Sequence, residues 1–174
     1  MKRAVVAALM FVVLGVIGIA QTRPNLAGTW KILGSPAAPA PPAPPAPPSS
    51  TAVSPPPPPK TVSLTITQSP TEIKIDRLVE SGGREATHTS TYKLDGTESV
   101  NQRGPVQFRT KASWKDGALV LASTVATADG TALGTLTDVY RVENGDLITD
   151  STRQPAGGGQ VSISKATYRK GQHP

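Results

Sequence analysis

An all-β fold, an antiparallel up-and-down meander of about nine or ten strands closed as a small barrel, is the architecture this sequence predicts. Three observations carry it. Apolar residues recur at every second position through most of the chain after Thr61, which is the period of a half-buried strand. Pairs such as Asp116-Gly117 and Asn144-Gly145 interrupt those runs at short intervals and accept the positive φ of a hairpin turn. No segment of that stretch repeats its apolar residues at helical spacing.

In chain order, residues 1–20 read as a leader. Lys2-Arg3 forms a short basic start, Ala4 to Ala20 is uninterruptedly apolar, and Gly18 and Ala20 are the small residues a signal peptidase needs, which places cleavage before Gln21. The mature chain is then expected in the periplasm or outside the cell, with no further membrane span. Residues 21–34 contain the first strand, Leu26 to Ile32. Residues 35–60 are a Pro/Ala/Ser-rich insertion holding most of the 18 prolines. Proline lacks the N–H donor and fixes φ, so this tract is expected to be disordered, extended polyproline II. It reads as a tolerated surface loop, with a protein partner for a proline-recognising groove as the functional alternative.

The remainder of the domain, residues 61–170, alternates strand and turn. Val62, Leu64 and Ile66 share one face, then Ile73 and Ile75 after the turn at Ser69-Pro70. Ala86, His88, Ser90, Tyr92 and Leu94 line up on the next strand, and Asp95-Gly96 predicts a tight type I′ hairpin into a short strand about Glu98 to Gln102. Val106, Phe108, Thr110, Ala112 and Trp114 form an inner face, followed by Leu119, Leu121, Ser123 and Val125, then Leu136, Asp138, Tyr140 and Val142. A strand around Leu147 to Arg153 and a last one, Gln160 to Lys170, complete the set before the tail 171–174. A meander leaves two open edges, and pairing its first strand with its last would close them.

The formal charge of the 174 residues is +6, and removing Lys2 and Arg3 with the leader leaves +4. Basic and acidic residues alternate along the chain, which reads as solubility and not as a nucleic-acid footprint. Without cysteine the protein has neither disulfides nor a thiol nucleophile, so its stability rests on core and ladder.

Asn25-Leu26-Ala27-Gly28-Thr29-Trp30-Lys31 resembles the Gly-x-Trp start of the first strand in lipocalins and related calycin barrels. It is also similar to short exported bacterial proteins, common in acidobacteria, that continue as glycine-punctuated hairpins. The resemblance implies that Gly28 permits a tight bend and that Trp30 plugs the closed end of the barrel. It further implies a basic residue from the last strand across the indole: Arg169, with Lys170 or Arg141 as substitutes. The chain departs from lipocalins in having no cysteine pair and no helix after the strands.

No catalytic or metal-ligating pattern emerges, and no cofactor motif. His88 is a lone histidine on a strand, His173 lies in the tail, and Gly157-Gly158-Gly159 precedes a strand where a phosphate cradle needs a helix. Asp138 falls on an apolar face and calls for a partner, and Arg77, in phase with Ile73 and Ile75, is suited to pair with it. Alternatively Arg77, His88, Tyr92, Asp138 and Tyr140 line a small cavity, for which the small inward residues Ala86, Ser90, Thr110, Ala112 and Ser123 leave room. Two functions follow. One is a lipocalin-like carrier or sensor of a small, partly apolar molecule. The other is a filled, ligand-free envelope domain acting through its surface and its proline tract.

Overall fold

Ten strands follow one another in the computed structural model, which describes residues 23–34 and 60–171. They are β1 (Gly28–Gly34), β2 (Lys60–Gln68), β3 (Glu72–Ser81), β4 (Arg84–Lys93), β5 (Glu98–Arg103), β6 (Val106–Lys115), β7 (Ala118–Thr127), β8 (Ala132–Glu143), β9 (Asp146–Pro155) and β10 (Ser162–Lys170). All belong to one antiparallel sheet in the order β4-β3-β2-β1-β10-β9-β8-β7-β6-β5. Closure works as expected, because β1 pairs on one side with β2 and on the other with β10; Trp30 stands opposite both Leu64 and Lys170. The result is a nearly closed lipocalin-like barrel with no helix among the described residues. Residues 1–22 with the expected leader, the proline tract from residue 35 to residue 59, and residues 172–174 with His173 lie outside the described residues. Lys60, expected as the last residue of the insertion, instead opens β2 opposite Glu80, and the two side chains pair at 3.7 Å.

Turn chemistry sets where the sheet is continuous. Asp116-Gly117 (φ 50° and 75°) and Asn144-Gly145 (φ 52° and 85°) both adopt the left-handed conformation at two successive residues, and each joins strands in full register. Asp95-Gly96 corrects the expectation of a hairpin: only Gly96 has positive φ (83°), and β4 and β5 form no ladder. The Asp95 carboxylate accepts from the Thr97 backbone N–H at 2.9 Å and from its hydroxyl at 2.6 Å. That Asx turn holds a wider loop, and the barrel's seam lies there.

Trp30, Leu64, Ile66, Ile73, Ile75, Leu119, Leu121 and Leu147 fill one end of the barrel, all at most 2% exposed. The Trp30 indole donates to the Leu26 carbonyl at 2.9 Å, and the Gln68 side chain accepts from the Leu26 N–H at 2.8 Å, so the chain entering β1 is sewn across the base. The cation over the indole is Lys170, at 5.6 Å from the ring centroid, and not Arg169. Alternation is the reason: Lys170 shares the inward phase of Trp30, while Arg169 points outward and pairs with Asp146 at 3.3 Å. Gly28 belongs to the same arrangement, since at φ 135° a Cβ there would lie 2.8 Å from Lys170 Cε.

Candidate functional site

The inward face of the barrel changes character halfway up the strands. On β3, Ile73 and Ile75 give way to Arg77; on β7, Leu119 and Leu121 give way to Ser123; on β9, Leu147 gives way to Ser151 and Arg153. Large apolar side chains therefore seal one half, while the other half is lined by hydroxyls and charges. The boundary is marked by a buried hydrogen bond, 2.8 Å long, between the Thr110 and Ser123 hydroxyls. Above it lies a cavity of about 650 Å³. Ser90, Ser123, Ser151, Ser162 and Ser164 supply short donor side chains to its wall, and Tyr92, Phe108 and Leu136 supply its apolar surface. An adjoining lobe of about 400 Å³ shares Thr61, Ser151 and Ser164 with it and runs toward β1 and Tyr168.

Charge inside the cavity is organised around Arg77. Its guanidinium lies 3.7 Å from the Asp138 carboxylate and donates to the Tyr140 hydroxyl, with both ion-pair side chains nearly buried. Burial alone would lower the Arg77 pKa, but Tyr140, Tyr92 and Asp138 outweigh it and the pKa is raised. Burial pushes the Tyr140 phenol above its ordinary value, with Arg77 opposing that shift only in part. Asp138 also accepts a hydrogen bond from the Ser151 hydroxyl at 2.5 Å, so this carboxylate bridges β3, β8 and β9.

Arg77, Tyr92 and Asp138 line the cavity, and Tyr140 is buried against Arg77. His88 stands opposite Arg77 on β4, half buried, but is not part of the cavity wall. Of the small inward residues, Ser90 and Ser123 border the open space. Thr110 and Ala112 are buried, and Ala86 is exposed near the strand end. Gly28 and Trp30 lie at the closed base, away from this chamber. Among the described residues no three His, Cys, Asp or Glu side chains gather as a metal-ligand set.

Sequence reasoning missed Arg103 and Arg153, which stand with Arg77 around the cavity. Charges that alternate harmlessly along the chain converge once the sheet curls, so reading them as surface solubility holds for the outer face only. A signal existed: Arg153 is in phase with the buried Leu147 and Thr149, and Arg103 with Ser99 and Asn101. Arg103 lies over the Phe108 ring at 5.4 Å; desolvation, and then the charge of Arg77, hold its pKa below the usual guanidinium value. Both arginines also border a groove of about 450 Å³ at the open end, lined by Val106, Phe108, Val125, Leu133 and Pro155.

No family model matches the chain, and no curated protein does. Solved structures do resemble it. The REP1-NXSQ fatty acid transporter superposes with a TM-score of 0.53 at 11% identity, covering 86% of this chain and 98% of the transporter. Apo lipid binding protein 8 of Caenorhabditis elegans superposes with a TM-score of 0.50 at 12% identity, covering 83% and 94% of the two chains. At such identities the likeness establishes a shared barrel fold, and the ligand must be argued from the residues that line this particular cavity.

Proposed function

We propose that this chain is an exported binding protein, working in the periplasm or outside the cell after loss of residues 1–20, that holds a small, partly apolar molecule in the open half of its barrel. The observation that carries this reading is the cavity of about 650 Å³, within the size range of small-molecule sites. A barrel that served only as a scaffold would gain stability from filling that space with Leu, Ile or Phe, as its other half does. Serines, the Arg77–Asp138 pair and two further arginines stand there instead. The names of the similar barrels, a fatty acid transporter and a lipid binding protein, favour carriage of an amphiphile over turnover of a substrate.

Titration with 1-anilinonaphthalene-8-sulfonate, followed by its fluorescence, tests the reading. One molecule is expected to bind per chain, and Ser164→Phe, which fills the space shared by the two lobes, is expected to weaken binding at least tenfold while leaving the melting temperature nearly unchanged. Undiminished binding to the variant would place the dye elsewhere and return the surface-acting, ligand-free reading to the front.

A further inference from the structure

Resting on the reading that the barrel holds a ligand, we propose that this ligand carries a doubly charged oxyanion head of the phosphate-monoester type, gripped at the rim by Arg103 and Arg153, with a short apolar chain lying in the groove of Val106, Val125 and Leu133. Charge balance is the first argument. Three arginines and one carboxylate border the cavity, and Asp138 is committed to Arg77 at 3.7 Å. Arg103 and Arg153 enter no ion pair among the described residues, so two positive charges face the space without a counter-charge. Both side chains are exposed at the rim, so a dianion placed between them gains charge-assisted hydrogen bonds while the guanidinium groups give up little hydration. The depressed pKa of Arg103 agrees with this, because its causes, desolvation and the neighbouring Arg77 charge, are both opposed by a bound anion. Guanidinium groups also match the oxygens of a phosphate in bidentate fashion, and the serine hydroxyls of the wall can donate to any oxygen left over.

Steric argument fixes which way the apolar part points. Below the cavity the barrel is solid: Ile75, Leu119 and Leu121 are at most 1% exposed, and the Thr110–Ser123 hydrogen bond closes the floor. A chain attached to a head at Arg103 and Arg153 cannot pass this floor, and the lobe toward Tyr168 opens from the Thr61, Ser151 and Ser164 side of the cavity, which neither arginine borders. It can run outward, because the groove of about 450 Å³ shares Arg103, Phe108 and Arg153 with the cavity, and Leu133 on its lip is 42% exposed. An exposed leucine and a valine pair beside two free guanidinium groups form an amphipathic surface that suits one amphiphilic anion.

Calorimetric titration of the purified protein with octanol, octyl sulfate and octyl phosphate at pH 8 separates charge from apolar burial, since the three share one chain and carry zero, one and about two charges. Affinity is expected to rise roughly tenfold per charge, the low end of what one hydrogen bond to a charged group contributes. Arg103→Gln and Arg153→Gln should each remove about that factor for octyl phosphate while leaving octanol unchanged, whereas Leu133→Ser should weaken all three alike. Phosphatidylcholine vesicles containing phosphatidic acid distinguish the sources of the head: co-sedimentation assigns a membrane lipid, and its absence alongside tight octyl phosphate binding assigns a soluble amphiphile. Octyl phosphate binding no tighter than octyl sulfate or octanol overturns the dianion. If the anilinonaphthalene dye still binds and Ser164→Phe still blocks it, only the head-group assignment falls; if the dye also fails, the carrier reading falls with it.

Discussion

Trp30 and Tyr140 show how much depends on single inward side chains in a barrel with no cysteine to cross-link it. The indole of Trp30 is 2% exposed, hydrogen-bonded to Leu26 and covered by Lys170. Trp30→Ala should therefore cost about 3–5 kcal/mol, from lost burial together with the cavity left behind. Lys170→Ala should cost about 1 kcal/mol as a partly exposed cation–π contact, and Arg169→Ala, with its exposed ion pair, under about 0.5 kcal/mol. Equilibrium urea unfolding of the three variants checks the order, and a costly Arg169→Ala with a harmless Lys170→Ala would reverse the assignment of the covering cation. Tyr140 gives a pH signature. Its folded-state pKa is raised above the ordinary value of 10 by burial, so the folded chain holds that proton more tightly than the unfolded one. Its contribution is complete below about pH 10 and is lost as the pH rises through the folded value. The urea midpoint should fall as the pH rises above about 10, and Tyr140→Phe should flatten that slope at a neutral-pH cost of about 1 kcal/mol for the lost bond to Arg77. The buried Tyr168, shifted in the same direction, leaves a residual slope.

At the scale of elements the seam between β4 and β5 is the departure from a regular meander. Two strands adjacent in sequence sit at opposite ends of the sheet order, so each has an edge that a ladder does not satisfy. Side chains take over: Asn101 accepts from the Thr91 N–H at 2.8 Å and donates to the Thr91 carbonyl at 3.0 Å, and Ser99 accepts from the Lys93 N–H at 2.8 Å. A carboxamide can reproduce both halves of a backbone pair, which keeps the barrel shut near its packed end. Asn101→Ala removes two of these three bonds. It should destabilise by about 1–2 kcal/mol and speed amide hydrogen exchange at Thr91 well beyond any change in β7 or β8. Unchanged protection at Thr91 would mean that the seam is held by packing alone.

Across the whole molecule the barrel divides into a sealed end packed with apolar side chains and an open end lined by hydroxyls and charges, and the connection of residues 35–59 leaves β1 at Gly34 and enters β2 at Lys60. Since β1 and β2 are adjacent antiparallel strands, with Lys31 opposite Ser63, the ends of that connection are close enough for a short loop. Replacing residues 37–58 with a short Gly-Ser bridge should shift the melting temperature by less than about 3 °C in scanning calorimetry, because loop length enters only logarithmically. A drop of more than about 10 °C would show that the tract packs on the barrel. What the sequence by itself determined was whatever a strand encodes locally. Period-two burial and the turns at Asp116-Gly117 and Asn144-Gly145 follow from side-chain alternation and φ preference, which depend on near neighbours, while the buried Trp30 is what the Gly-x-Trp resemblance implied. Even the Arg77–Asp138 pair was legible, since each residue sat in phase with an apolar face that could not hold it alone. Tertiary structure decided the rest. Whether Arg169 or Lys170 meets the indole depends on the register of β10 against β1. The break after β4 depends on where the curl of ten strands can no longer be continued by a ladder. The gathering of Arg77, Arg103 and Arg153 depends on curling strands that are distant in sequence around one space, and no local pattern encodes that convergence.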